Sequence, residues 1–191
     1  MSPVDHISLD RVPDSLRIVR EIHLSEASSI LEIELEGHKC AMKLFHDNGD
    51  PGVAENGRDL NRFRCELNAY MKLQKHKVYE AGFVPYFYGH IDRVNPSLFQ
   101  PELRDFTHDK FHPSAIVLEY FPNAEGLNCE NYSDVSYQRL VWVDFDVATT
   151  ISTLGPKEQR QSEYEDELVA GYGEALRDDQ REGLPKNTKW Y

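Results

Sequence analysis

The chain has 191 residues, 40% of them hydrophobic, and a formal net charge of −12. That length can bury one real core, and no Pro-, Gly- or Ser-rich spacer divides it, so a single domain over residues 1–191 is expected. The surplus of acid argues against a nucleic-acid partner, because phosphate backbones are bound by clustered Lys and Arg.

In chain order, Ser15–Ile22 and Ser29–Leu35 read as strands, the second alternating apolar residues with Glu32 and Glu34 as a strand with one buried and one wet face would. The turn between them, His23 to Ser28, holds no glycine. Gly37 turns the chain into a third strand, His38–Phe45, and three strands at this spacing predict an antiparallel meander. Period-2 geometry puts Cys40, Met42 and Leu44 on one face and Ala41, Lys43 and Phe45 on the other. Lys43 thus lies between apolar neighbours, and two readings stay open. It snorkels to solvent, or it is a fixed positive charge over a ligand's phosphates.

His46 to Asp59 reads as a loop. Leu60, Phe63, Leu67, Tyr70 and Met71 then recur at helical spacing and predict an amphipathic helix from about Asp59 to Lys77. Glu66 shares the apolar face, where a lone carboxylate is costly, so it needs a cation. Lys43 and the helix's own Arg62 are the candidates.

Phe83–Ile91 reads as a strand starting at an edge, because Pro85 cannot donate to a ladder. Asp92–Pro113, with Pro96, Pro101 and Pro113, reads as a mobile polar surface loop. Ser114–Pro122 returns as a buried strand. Val141–Ala148 reads as a further short buried strand that ends in Asp144, Phe145 and Asp146. An acid where a buried strand emerges is solvated, paired or holding a cation. Taken alone, this stretch is better read as a surface turn closing a strand. Thr149–Lys157 is turn-rich. Ser162 opens a helix with capping-box spacing to Glu165 and an apolar stripe of Leu168, Tyr172 and Leu176. Asp178–Tyr191 is polar except for Trp190 and Tyr191.

Cys40, Cys65 and Cys129 are odd in number and lack C-x-x-C spacing, so neither a disulfide framework nor a zinc site is expected. The first twenty residues carry charges throughout and no apolar run approaches membrane-spanning length. The expected setting is intracellular, cytoplasmic or nuclear, with no membrane partner.

The ordered landmarks Cys40-Ala41-Met42-Lys43, Glu66 in a helix, Ile116-Val117-Leu118-Glu119-Tyr120 and Val143-Asp144-Phe145-Asp146 resemble the protein-kinase superfamily. The likeness is closest to compact kinase-like proteins of fungi. It covers about Leu16 to Phe121 and Val141 to the C-terminus.

The resemblance implies an α+β, protein-kinase-like fold. An N-terminal antiparallel sheet with one helix and a hinge would occupy about 14–121, and a much reduced helical lobe 122–191. It implies ATP and magnesium in a cleft between the lobes. Lys43 would contact the α- and β-phosphates, Glu66 would orient it, and Asp144 would bind the metal. Leu118 would back the adenine pocket, and the backbone of Glu119, Tyr120 and Phe121 would bond the adenine edge.

Two departures stand against full activity. The turn from Leu24 to Ser28 lacks the glycines that let a backbone close over phosphates. No H-R-D-x-x-x-x-N segment precedes Asp144, and no Ala-Pro-Glu follows it. Asp134 is the sole candidate base, but Arg139 stands where the motif has Asn. The expectation is therefore a nucleotide-binding, pseudokinase-type module with a nucleotide and a protein as partners. The alternatives are an atypical phosphotransferase acting on a protein or small-molecule hydroxyl, and a chain too reduced to fold stably.

Overall fold

The computed structural model describes residues 13–55, 57–133, 140–150, 153 and 155–185. They form an α+β protein with a five-stranded antiparallel sheet and two α-helices. Two compact units are present, one within Met1–Phe121 and Trp142–Thr150, the other within Pro122–Val141 and Ile151–Tyr191.

The first unit contains β1 (Arg17–Leu24), β2 (Ser28–Leu35), β3 (His38–Phe45), α1 (Arg62–Lys75), β4 (Phe87–Ile91) and β5 (Ser114–Glu119). The sheet order is β1-β2-β3-β5-β4, so the expected meander is extended by a later hairpin. β2 and β3 pair without a break from Ser28↔Phe45 to Leu35↔His38. Glu36 and Gly37 make their two-residue turn, with φ of 51° and 80°. Positive φ at both positions matches the right-handed twist of the strands, and glycine adopts it without a Cβ clash. The β1–β2 turn manages without glycine because Ser25 Oγ accepts from the backbone N–H of Ala27 and Ser28 at 3.3 and 3.2 Å. β1 is an edge strand, mostly exposed, with two register shifts that twist it away from further pairing.

β3 lies third of five and both its faces are covered. Cys40, Met42 and Leu44 pack with Leu31, Ile33, Ala115 and Val117 on one side, and Ala41 and Phe45 with Ile116, Leu118 and α1 on the other. The first face is closed by the segment expected to be a mobile polar loop. Val94, Leu103 and Phe106 are 1%, 0% and 3% exposed, and two short 3-10 helices, Pro96–Leu98 and Arg104–His108, hold them there. His46, just after β3, stacks on Phe106 at 4.2 Å, and its Nδ1 lies 2.9 Å from Asp109 Oδ2. The apolar residues of this segment follow neither a period of 2 nor of 3.6, which hides them among polar neighbours.

α1 is shorter than expected because the Asn61 side chain accepts from the Arg64 N–H at 2.9 Å and starts the helix there. Its last turn carries Lys72 and Lys75, which suit the negative end of the helix dipole. Leu60 precedes the helix and Met71 is 52% exposed, so neither belongs to the buried stripe. β4 begins at Phe87 rather than Phe83, since the chain first makes a 3-10 turn over Val78–Ala81 and then passes Pro85.

The stretch from Val141 is not a strand. Trp142 and Val143 are 46% and 57% exposed, and the segment is tied by Trp142 N–H donating to Phe83 O at 2.8 Å and a turn from Ala148 N–H to Phe145 O at 3.0 Å. A run of apolar residues makes a strand only where it pairs along a neighbouring strand, and this stretch joins no sheet.

In the second unit, α2 runs from Pro156 to Glu182. It starts six residues before Ser162 because Gly155 is the N-cap and Pro156, with φ preset, takes the first helical position. Gly183, at φ 67°, ends it, and Leu184 N–H reaches back to Asp179 O at 2.9 Å. Leu176 packs with Cys129 and Tyr132, flanked by Leu127 and Tyr172, while Leu168 is 51% exposed. The expected stripe is therefore buried at its C-terminal end. Trp190 and Tyr191 lie outside the described residues. Among those described, no helix is long and apolar enough to cross a membrane.

Candidate functional site

Lys43 and Glu66 come from adjoining layers. β3 presents Lys43 on the sheet face that α1 covers, and α1 turns Glu66 inward with Cys65, Ala69 and Tyr70. The two are 5% and 1% exposed, and Lys43 Nζ donates to Glu66 Oε2 at 2.7 Å. Arg62 is not the partner of Glu66. Lys43 Nζ also donates to Asp144 Oδ1 at 2.6 Å, although Asp144 lies 101 residues away. The ammonium is shared by one buried carboxylate and one whose side chain is 62% exposed, and it stands 5.1 Å from the Phe45 ring.

The electrostatics follow from that sharing. Burial disfavours the Lys43 ammonium, but the charges of Glu66 and Asp144 more than offset it and leave the lysine pKa raised. Burial pushes the Glu66 carboxyl up to about 7, against the pull of Lys43, and the charges of Asp144 and Asp146 add to the rise. Lysine gains two anions while Glu66 holds only a share of one cation. Glu66 Oε1 is also buried without a hydrogen-bond partner among the described residues, as is the Tyr70 hydroxyl. Burial pushes the Tyr70 phenol up as well. Such an orphaned polar atom typically costs about 1–3 kcal/mol.

The residues after Asp144 are fixed from α1. Phe145 meets Tyr70 edge-on at 5.2 Å, and Asp146, 8% exposed, accepts from Arg62 Nη1 at 2.8 Å. Asp144 itself takes φ 70°, the left-handed region that a non-glycine residue rarely enters. Pattern reading singled out Asp144 but not the Arg62–Asp146 or Tyr70–Phe145 contacts. The available signal was the spacing of Arg62, Glu66 and Tyr70 at four-residue intervals on one helix face.

The residues expected along an adenine edge lie at the end of β5. Leu118, 8% exposed, stands opposite Ala41 and Phe87 in register. The Glu119 N–H is already given to Tyr86 O at 2.9 Å, and its carboxylate accepts from Tyr86 N–H at 3.1 Å. Tyr120 and Phe121 are half-buried. The Tyr120 hydroxyl donates to Glu32 Oε2 at 3.0 Å and accepts from Arg20 Nη2 at 3.0 Å. Glu32, expected on a wet face, is 3% exposed because Lys39, Arg20 and Tyr120 all converge on it. The Lys39 ammonium first, then Tyr120 and Arg20, hold its carboxyl below the usual range. This buried acid was not legible from strand alternation, because its donors come from β1, β3 and the residue after β5.

Asp134 and Arg139 lie outside the described residues. A separate cleft of about 240 Å³ opens at the N-terminal end of α1 beside His46, Asp47, Asn48, Asn61 and Arg62, and neither Lys43, Glu66 nor Asp144 lines it.

No protein-family model matches the chain, and no curated protein matches it either.

Proposed function

We propose that the chain is a protein-kinase-like module that binds ATP with magnesium through Lys43, Glu66 and Asp144, and that it serves as a binding or regulatory module rather than an efficient phosphotransferase. The observation that carries this reading is the shared ammonium, with Lys43 Nζ held at 2.7 Å by Glu66 and at 2.6 Å by Asp144. A buried lysine anchored from behind by one carboxylate is a fixed point charge for phosphate oxygens. Asp144 is the partner that can leave, being exposed and on a separate segment. With a phosphate ligand bound, Lys43 would keep Glu66 and hold phosphate oxygens in place of Asp144, and the Asp144 carboxylate would be free to hold the cation.

The residues suit magnesium only in company with phosphate. Among the described residues no group of three or more His, Cys, Asp or Glu side chains could hold a metal ion. Magnesium commonly binds through one or two carboxylates, retained waters and substrate phosphates rather than an all-protein cage. When bound it would neutralise phosphate charge. Efficient transfer also needs a base and a second metal ligand, and the sequence has no H-R-D-x-x-x-x-N segment to supply them.

Thermal unfolding with and without Mg-ATP tests the reading. A ligand at about a hundred times its dissociation constant stabilises by about 2.7 kcal/mol, several degrees for a chain this size. A shift that needs magnesium and vanishes in Lys43→Ala and Asp144→Asn is expected. Cooperative unfolding with no shift would reject it. Release of phosphate that depends on Asp144 would favour the atypical phosphotransferase instead.

A further inference from the structure

Arg62, Glu66 and Tyr70 occupy one face of α1 at successive turns, and each fixes one residue of a single tripeptide. Glu66 holds Lys43, which holds Asp144; Tyr70 meets Phe145 at 5.2 Å; Arg62 donates to Asp146 at 2.8 Å. The tripeptide needs such anchors. It lies in no strand, Trp142, Val143 and Val147 around it are 46%, 57% and 52% exposed, and Asp144 sits at φ 70°. A non-glycine residue persists in that conformation only where its surroundings over-determine it.

The Lys43–Asp144 bond cannot be the lasting anchor, since on the nucleotide reading above Lys43 leaves Asp144 for phosphate. Phe145 and Asp146 remain. Asp146 is an acid at 8% exposure whose carboxylate is held by Arg62, and a buried carboxylate deprived of its cation does not stay in place. We propose that Arg62 is a positioning residue. Its ion pair with Asp146 locks the turn that presents Asp144 and so sets the magnesium affinity of the site. The magnesium consequence rests on the nucleotide reading, whereas the latch stands on the geometry alone.

The two parts are tested separately on the full chain. Hydrogen exchange without ligand is followed for the peptide covering 142–150 in wild type, Arg62→Ala, Arg62→Lys and Asp146→Asn. Opening of an unlatched segment should raise its exchange by about tenfold in Arg62→Ala and Asp146→Asn, with β3 and the middle of α1 unchanged and most of the protection kept in Arg62→Lys. Unchanged exchange, or a rise spread evenly over the chain, overturns the latch. The magnesium concentration giving half of the ATP-induced thermal shift is then measured, and it should rise about tenfold in Arg62→Ala and return toward wild type in Arg62→Lys. Faster exchange with an unmoved magnesium midpoint overturns the positioning role. A wild-type chain that ATP does not shift refutes the magnesium consequence along with the nucleotide reading, and the exchange ratio still decides the latch.

Discussion

Lys43 Nζ lies 2.7 Å from Glu66 Oε2 across two packed layers, with both side chains almost wholly buried. Removing Lys43 leaves the Glu66 carboxyl buried without its cation, and breaking a buried pair in this way typically costs about 3–5 kcal/mol. Lys43→Ala should therefore lower unfolding stability by about that much in urea titrations without any ligand. Replacing both charges at once, Lys43→Met with Glu66→Leu, should recover most of the loss, because neither residue is then left as a buried lone ion. A double variant as unstable as the single one would mean that the cost lies in packing rather than charge.

Glu66 gives the chain a distinctive pH dependence. Its carboxyl is pushed up to about 7 in the folded protein, mainly by burial, from an ordinary value of 4.5. Lys43 faces it across the layer, Asp144 and Asp146 lie near enough to raise it, and the neutral Tyr70 phenol is one turn away. A raised pKa means that the folded state binds the proton more tightly than the unfolded chain. The resulting stability is fully present below about pH 4.5 and is lost as pH rises through about 7, with a ceiling of roughly 3 kcal/mol. Glu66→Gln removes this dependence while other titrations stay in place. The melting temperature of wild type minus that of Glu66→Gln should therefore fall steadily between pH 5 and pH 8. A flat difference would place the Glu66 carboxyl at its ordinary value.

Asp144 should behave oppositely to Lys43 in the absence of ligand. Its side chain is 62% exposed and Lys43 keeps Glu66 when Asp144 is lost, so no buried ion is stranded and the loss should be about 0–1 kcal/mol. Asp144→Asn should shift the unliganded melting temperature by no more than a degree or two for a chain of this length, and on the proposed nucleotide reading it should abolish any magnesium-dependent response to ATP. Glycine at 144 should stabilise the apo chain slightly, since it accepts φ 70° without a Cβ clash. A large loss of stability in Asp144→Asn would make Asp144 a structural residue.

How much of this was legible in the sequence depends on periodicity. The period of 2 along β3 let its two faces be read, with Cys40, Met42 and Leu44 on one and Ala41, Lys43 and Phe45 on the other. The need of Glu66 for a cation was visible too, but pattern alone left Arg62 and Lys43 open, because a helix-local partner and a sheet partner look alike in one dimension. Val141 to Ala148 misled for the reverse reason. Three apolar residues have strand propensity, but a strand requires a neighbouring edge, which is a property of the fold and not of the segment. The Arg62–Asp146 pair spans 84 residues, and its one local trace is the four-residue spacing of Arg62 from Glu66 on the helix.

The segment from Asp92 to Pro113 provides the remaining prediction, and it concerns the sheet face opposite the candidate site. A polar insertion on the surface would tolerate truncation of its apolar side chains. Here Leu103 is 0% exposed and packs in the same cluster as Met42 and Leu44, the neighbours of Lys43 on β3. Leu103→Ala should thus behave as a core substitution and cost about 2–5 kcal/mol, with the spread set by how far Val94 and Phe106 relax into the vacated volume. Leu98→Ala, five residues earlier and 66% exposed, should change stability by no more than about 0.5 kcal/mol. Chemical denaturation of the two variants side by side distinguishes a packed lid on the sheet from a loop. Because β3 carries Lys43 on one face and this cluster on the other, Leu103→Ala should also loosen β3 and weaken any nucleotide response in proportion, while Leu98→Ala leaves both as they are.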